Sequence, residues 1–267
     1  MSGTESVKIV IVGGVAGGAS AATRARRCNE NAEIVLFEKD EYVSFANCGL
    51  PYYIGGEITE RSKLLVATPE LFKNRFNIDV RAKHLVQSID VENKTVSVLN
   101  QATGEAFTET WDRLILSPGA APIVPPLPGI DAPNVFTLRN LNDTDAIKEY
   151  IEQHNCQRAV VVGAGFIGLE MVEQLHHLKM QTDLVELQPQ VLPPLDPEMA
   201  KLIQQELTAH NVNLHLGTAL EKVTVENGTA VGVALGNGTT IDTDLIILGI
   251  GVSPATGLAK AAGLEIG

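Results

Sequence analysis

Positive charge is scarce in this chain. Lys and Arg number 20 against 32 Asp and Glu, for a net charge of −12 and a sequence pI of about 4.9. General nucleic-acid affinity is excluded, because binding a phosphate backbone needs clustered Lys and Arg. A local basic pocket for a small phosphorylated ligand is not. Long apolar runs are also missing: none reaches the roughly 18 residues of a membrane helix, and no membrane partner is expected. The N-terminus, MSGTESVKIVIVGG, enters an apolar strand almost at once, without the charged and then apolar regions of a signal peptide. Cysteine is sparse. Cys28, Cys48 and Cys156 are widely spaced, with no CxxC or Cys/His zinc spacing. No metal site is expected, and the adjacent His176 and His177 read as solvated helix surface. A reducing cytoplasm, in which cysteine stays free, is the expected compartment.

What the chain does have is enough apolar material for a packed protein of one large or two ordinary domains: 45% hydrophobic and 19% charged over 267 residues. It also states one pattern twice. The segment 7-VKIVIVGG-14 reads as a buried strand entering glycines, 15-VAGGASAATRARRCNE-30 as a helix, and 33-EIVLFEKD-40 as a strand ending in an acid. Later, 159-AVVVGAGFIGLEMVEQLHHLK-179 and 182-TDLVELQ-188 repeat strand, glycine turn, helix and strand. Both are βαβ units. Each is followed by a β-meander with Asn/Gly turns (77–100 and 211–238) and an apolar strand ending in Gly and Pro (112–122 and 244–254). The expected fold is α/β: two Rossmann-like dinucleotide-binding domains, three-layered, each with a β-meander insertion. The Pro-rich stretch 118–129 is the expected linker.

In 163-GAGFIG-168 the pattern G-x-G-x-x-G is complete. Gly163 makes the tight turn, Gly165 admits a pyrophosphate to the backbone, and Gly168 lets helix and strand pack closely. Glu186, at the next strand end, is placed to accept from both ribose hydroxyls and to repel a 2′-phosphate, which points to NADH. The first loop, 13-GGVAGG-18, keeps Gly13 and Gly18 but has Val15 at the second place, with Gly14 and Gly17 alongside; Glu38 ends its strand. Two such sites suggest two redox nucleotides exchanging a hydride, NADH and a flavin. Nucleotide positions are Gly13, Gly14, Ala16, Gly17, Gly18, Glu38, Lys39, Ser117 and Gly119 in the first half. In the second they are Gly163, Gly165, Phe166, Ile167, Gly168, Glu186 and Gly251.

These loops, with 44-SFANCGLPYYIGG-56 between them, resemble the pyridine nucleotide–disulfide oxidoreductases over essentially the whole chain. SFANCGLPY resembles that family's single-cysteine branch, which includes coenzyme A disulfide reductases and NADH-dependent coenzyme A persulfide and polysulfide reductases. The VAGGA loop is usual in that branch. Two-cysteine members place the second cysteine five residues after the first; Tyr53 stands there. The resemblance implies FAD in domain 1–120, NADH in domain 121–255, and a return to the FAD domain over 256–267. It implies Cys48 as the redox nucleophile, forming a mixed disulfide with coenzyme A. It also implies coenzyme A contacts from Ser20, Arg24, Arg27, Ser44 and Asn47. Ser20, Arg24 and Arg27 share one helix face by spacing alone, where two guanidiniums suit a phosphorylated ligand; a solvated basic helix end complementing the dipole is the other reading. Lys73 and Arg75 are read as added charge nearby.

A thiolate is the reactive form of cysteine, so Cys48 needs positive charge or oriented N–H groups to be activated. Two alternatives stand beside disulfide or persulfide reduction. One is an NADH oxidase or peroxidase cycling Cys48 through sulfenic acid. The other is a non-catalytic nucleotide-binding fragment, because family members continue into a second FAD segment and a homodimerisation domain, sometimes with a rhodanese domain, and the chain is expected to be truncated before them.

Overall fold

The computed structural model describes residues 6–267; residues 1–5, part of the stretch read for a targeting signal, lie outside them. The first half runs β1 (Lys8–Val12), α1 (Ala16–Cys28), β2 (Glu33–Glu38), a 3-10 turn (Asn47–Gly49), α2 (Leu50–Ile54), a second 3-10 turn (Arg61–Leu64), α3 (Pro69–Phe76), β3 (Asp79–Ala82), the meander β4 (His84–Asp90), β5 (Thr95–Asn100) and β6 (Ala106–Thr110), and β7 (Arg113–Leu116). The chain continues through β8 (Ala120–Pro122), β9 (Val135–Thr137), α4 (Leu141–His154), β10 (Arg158–Val162), α5 (Phe166–His177), β11 (Gln181–Glu186), α6 (Pro197–Ala209) and β12 (Asn213–Leu216). A second meander, β13 (Leu220–Glu226), β14 (Thr229–Leu235) and β15 (Thr240–Asp242), leads to β16 (Leu245–Leu248), β17 (Val252–Pro254) and α7 (Gly257–Ala261).

Two compact units result. The first comprises residues up to Ala46, Ser62–Ala120 and Pro254–Gly267; the second comprises Asn47–Arg61 and Ala121–Ser253. The sequence reading keeps Asn47–Arg61 with the first domain. The segment packs with the second unit because Leu50, Pro51 and Ile54 of α2 are buried and α2 contacts α4 and α5.

In the first unit a parallel sheet of order β3-β2-β1-β7 forms the middle layer. One face carries Ile11, Ile34 and Leu36 against the small residues Ala19 and Ala22 of α1 and Phe72 of α3. The other carries Val10, Val12, Val35 and Phe37 against Val86, Val96 and Val98 of the meander. Alternation along β1 and β2 thus feeds two cores at once, as expected of strands covered on both faces. Each fully buried large side chain contributes about 1.5–3 kcal/mol. The second unit repeats the plan with order β12-β11-β10-β16-β9. Val160, Val162, Val185 and Ile246 face Val223, Val233 and Leu235 of its meander, and Met171, Val172 and Leu175 of α5 are buried. The two three-layer units agree with the fold expected from the sequence. Among the described residues no helix is long and apolar enough to cross a membrane.

Candidate active site

Each sheet ends in a cleft at the carboxyl ends of its strands, where a Rossmann fold binds nucleotides. In the first unit the cleft has a volume of about 540 Å³ and is lined by Gly13, Glu38 and Lys39. Gly13 has φ +96°, and a β-carbon there would collide with the Ser117 carbonyl. Only glycine makes that turn without strain. Ser117 N–H donates to the Val12 carbonyl at 2.7 Å, and the Gly119 carbonyl accepts from Ala255 N–H at 2.9 Å. Gly17 stands close to the Ser117 hydroxyl, and Gly18 packs on the Gly13 carbonyl. Ala16 opens α1, whose start has no side-chain cap, so its first N–H groups are available to an anion.

The second cleft, about 640 Å³, is lined by Gly163, Gly165, Phe166, Ile167, Glu186 and Gly251, among others. Gly163 repeats Gly13, with φ +101° and its missing β-carbon replaced by the Gly249 backbone. Gly168 packs on the Gly163 carbonyl as Gly18 does on Gly13. Gly165 differs from both: its φ is −78° and nothing lies within 4 Å of where its β-carbon would be. Neither packing nor conformation requires glycine there. The open space is what a pyrophosphate would fill, so the residues fit a dinucleotide. Phe166 is 72% exposed in the cleft.

The acids do more than the motif implies. Glu38 is buried and accepts from Gly14 N–H at 2.6 Å and Asp40 N–H at 2.9 Å, on different carboxylate oxygens. Glu186 is buried and accepts from Ala164 N–H at 2.7 Å and Gln188 N–H at 2.8 Å in the same way. Each acid therefore clips its glycine loop to the strand end. A carboxylate has about four acceptor sites, so two remain on each for ribose hydroxyls. Burial pushes the Glu38 carboxyl above its ordinary range, against the two backbone bonds and Lys39 that lower it. A strap repeats as well. Ser44 N–H donates to the Gly14 carbonyl at 3.0 Å, and Leu192 N–H to the Ala164 carbonyl at 2.8 Å. Both strap residues are left-handed, at φ +45° and +43°. For Leu192 the cost of about 1–2 kcal/mol is offset by burial of its side chain.

Cys48 is exposed, and all three cysteines are free. It sits in the 3-10 turn that runs into α2, with Asn47 half-buried beside it. The anchors of this segment lie in the second unit. Arg61 makes a bidentate pair with Asp145 of α4, at 2.6–2.9 Å. Buried Gln174 of α5 donates to Glu57 at 3.0 Å, and His177 Nδ1 lies 2.9 Å from Glu57. The Glu170 carboxylate accepts from the Tyr52 hydroxyl and pushes its pKa up to about 12. Tyr53, at the place a second cysteine would take, lies under Lys148 at 5.3 Å.

The basic face of α1 divides by role. Arg26 is spent on structure, donating to the carbonyls of Asn29, Glu30, Phe76 and Asn77. Ser20, Arg24 and Arg27 are exposed. They belong to the first unit with Ser44, whereas Cys48 and Asn47 belong to the second. Lys73 and Arg75 lie in the last turn of α3.

The sequence model of the pyridine nucleotide-disulphide oxidoreductases matches residues 7–267. The chain belongs to this family. A coenzyme A disulfide reductase of Staphylococcus haemolyticus is 39% identical over 259 residues, covering 97% of this chain and 57% of its own length. Among solved structures, a Bacillus anthracis protein described as reduced CoADR-RHD superposes with a TM-score of 0.95 at 52% identity, over 98% of this chain and 47% of that one. An NAD-dependent persulfide reductase from A. fulgidus gives 0.93 at 36%, over 97% and 48%. The chain thus spans about half the length of the relatives it matches. In this family member the motifs led directly to both glycine loops, both acids and the cysteine turn. They did not lead to His84–Gln87 or to Gly257, Leu258 and Ala261, which also line the first cleft. No motif marks those positions; the meander's return over the strand ends brings His84–Gln87 there, and the return of Pro254–Gly267 to the first unit brings Gly257, Leu258 and Ala261.

Proposed function

We propose that this chain is the electron-transfer part of a flavoprotein that passes two electrons from NADH through FAD to Cys48, and from Cys48 to a disulfide or persulfide of coenzyme A. The observation that carries it is the pair of clefts of like construction in a chain whose one cysteine-bearing turn presents an exposed thiol with Tyr53 five residues on. FAD, held by Gly13, Gly14 and Glu38, supplies the two-electron relay between hydride and sulfur when bound. NADH is held by Gly163, Gly165 and Glu186, and the buried Glu186 carboxylate disfavours a 2′-phosphate. The Cys48 thiolate attacks one sulfur of the disulfide. A Cys48–coenzyme A disulfide forms, and one coenzyme A leaves as thiolate and takes a proton. Two electrons and a proton from NADH then cleave the mixed disulfide, freeing the second thiol and restoring the Cys48 thiolate. Ser20, Arg24, Arg27, Ser44 and Asn47 bind coenzyme A, the two guanidiniums holding its phosphates. The proposed compartment is the cytoplasm, and homodimers are what the resemblance implies for full-length relatives.

Intact mass spectrometry after incubation with coenzyme A disulfide tests the nucleophile without requiring turnover. One coenzyme A added to the chain, lost in Cys48→Ser, is the expected result; an adduct that survives this substitution overturns the assignment. NADH consumption with coenzyme A disulfide, coenzyme A persulfide, polysulfide, oxygen and peroxide ranks the acceptors. Oxygen or peroxide as the best acceptor would replace this reading with the oxidase one.

A further inference from the structure

Helix α5 carries a cluster of side chains that no motif accounts for, on the side where it contacts the cysteine-bearing segment. Glu173 and His177 stand at i and i+4 and share one helix face. Glu57, from the same segment as Cys48, meets them there. One ligand-type atom of each of Glu57, Glu173 and His177 lies within 4.8 Å of the other two, and all three residues are exposed. His177 Nδ1 is 2.9 Å from a Glu57 oxygen. One imidazole therefore stands against two carboxylates. Beneath them Gln174 is fully buried. Its Nε2 donates to that same Glu57 oxygen at 3.0 Å, while its Oε1 has no partner and takes the space a Gly55 β-carbon would fill. A buried acceptor without a donor is costly. Here it leaves the negative end of the amide dipole uncompensated beside two carboxylates. Tyr52 feels the same surplus: the bond to Glu170 and its charge raise the phenol pKa first, and burial and the charges of Glu173 and Glu57 raise it further. What the cluster lacks is positive charge.

We propose that Glu57, Glu173 and His177 form a binding site for a divalent cation of the zinc class, which ties the cysteine-bearing segment to α5. The sequence reading leaves His177 on solvated helix surface; the approach of Glu57, distant along the chain, is what gives it partners. One imidazole and two carboxylates suit Zn²⁺ and its transition-metal neighbours, whereas Mg²⁺ and Ca²⁺ take oxygen ligands and more of them. Bonds of about 2.0–2.2 Å to a tetrahedral ion set the ligand atoms roughly 3.4 Å apart, a distance to which exposed side chains close by rotation. Three protein ligands leave the fourth position to water. The ion takes the place of the hydrogen between His177 and Glu57, and that proton passes to the other ring nitrogen or to solvent. Gln174 keeps its bond to Glu57 and holds this ligand from behind. The neighbouring His176 and His210 are not an equivalent site. Their rings meet edge to face with centroids 5.3 Å apart, but among the described residues no third ligand-type side chain joins them. The cation site stands independently of the electron-transfer reading above.

Zn²⁺ binding is measured by calorimetry on the chain after its exposed thiols, Cys28 and Cys48, are alkylated, so that thiolates do not compete for the ion. The expected result is one Zn²⁺ per chain, with affinity at least tenfold weaker in Glu173→Gln and in His177→Ala and unchanged in His210→Ala. Absence of saturable binding, affinity kept in either of the first two variants, or a comparable loss in His210→Ala overturns the proposal. Mg²⁺ or Ca²⁺ bound as tightly as Zn²⁺ overturns the assigned class of ion. Amide hydrogen exchange on the alkylated chain is a second test that needs no substitution. Zn²⁺ is expected to slow exchange over residues 52–58 and in the last turn of α5; protection that leaves residues 52–58 unchanged overturns the tie.

Discussion

Replacing Glu186 by Gln separates two roles of one carboxylate. Its oxygens accept from Ala164 and Gln188 N–H groups at 2.7 and 2.8 Å, and the residue is buried. Glutamine keeps one acceptor and turns an amide NH₂ toward the other N–H. One charge-assisted bond is lost, at about 1.5–3 kcal/mol, and a buried donor is left unmet. The expected loss is about 2–3 kcal/mol at neutral pH, or a fall in Tm of roughly 5–10 °C for a unit of this size. Urea unfolding and scanning calorimetry without nucleotide measure it. Glu38→Gln is the matched experiment, since its bonds at 2.6 and 2.9 Å have the same plan. Burial makes the charged form of Glu38 costly, and glutamine removes that cost, so the loss there is expected to be smaller. If Glu186→Gln lowers NADH affinity while leaving the unfolding free energy unchanged, the clip is not structural and the reasoning fails.

Glu38 also gives a pH signature. Its folded pKa is raised, so the native state holds the proton longer than the unfolded chain. Stability relative to Glu38→Gln therefore falls as pH rises from the ordinary carboxyl range through the raised value; a difference that grows with pH refutes this. Gly163→Ala places a β-carbon against the Gly249 backbone at φ +101° and is expected to cost at least about 2 kcal/mol. Gly165→Ala meets open space, so it should stay within about 1 kcal/mol in denaturation yet bind NADH at least tenfold more weakly. Native thiol titration should find Cys28 and Cys48 reactive and Cys156 slow, because Cys156 is buried and burial, with Asp244 nearby, pushes its thiol up. Arg26→Gln strips donors from four carbonyls and should cost about 1–2 kcal/mol. Arg24→Gln and Arg27→Gln should leave stability unchanged and raise KM for coenzyme A disulfide.

Most of the fold was legible because its signals are local. Apolar strands such as Lys8–Val12 and Arg158–Val162, glycines before a helix, and an acid at the next strand end all fall within one short window. What stayed hidden depends on contacts between distant residues. No periodicity shows that Glu38 accepts from Gly14, that Ser44 and Leu192 strap the loops in a left-handed conformation, or that Arg26 serves α3 while Arg24 and Arg27 remain exposed. Spacing placed Arg24 and Arg27 on one face; where each guanidinium of α1 goes is settled by which carbonyls lie within reach. The packing of Asn47–Arg61 with the second unit was hidden for the same reason, since its anchors are Asp145 and Gln174, far along the chain.

The placement of α7 has a consequence for how the chain reaches its native state. The second unit draws nearly all its residues from one continuous stretch, Ala121–Ser253, whereas the first closes only when Pro254–Gly267 returns to it. During synthesis the ribosome releases β4 long before α7, so the first unit waits through the whole of the second for this helix. Contacts of such sequence separation form slowly, because loop closure precedes any gain. Pulse-labelled hydrogen exchange should therefore show the β10–β11 ladder protected early and the β4–α7 contact last. Until then Phe37 and Val86 have one neighbour fewer, which is the interval in which this protein is most open to aggregation.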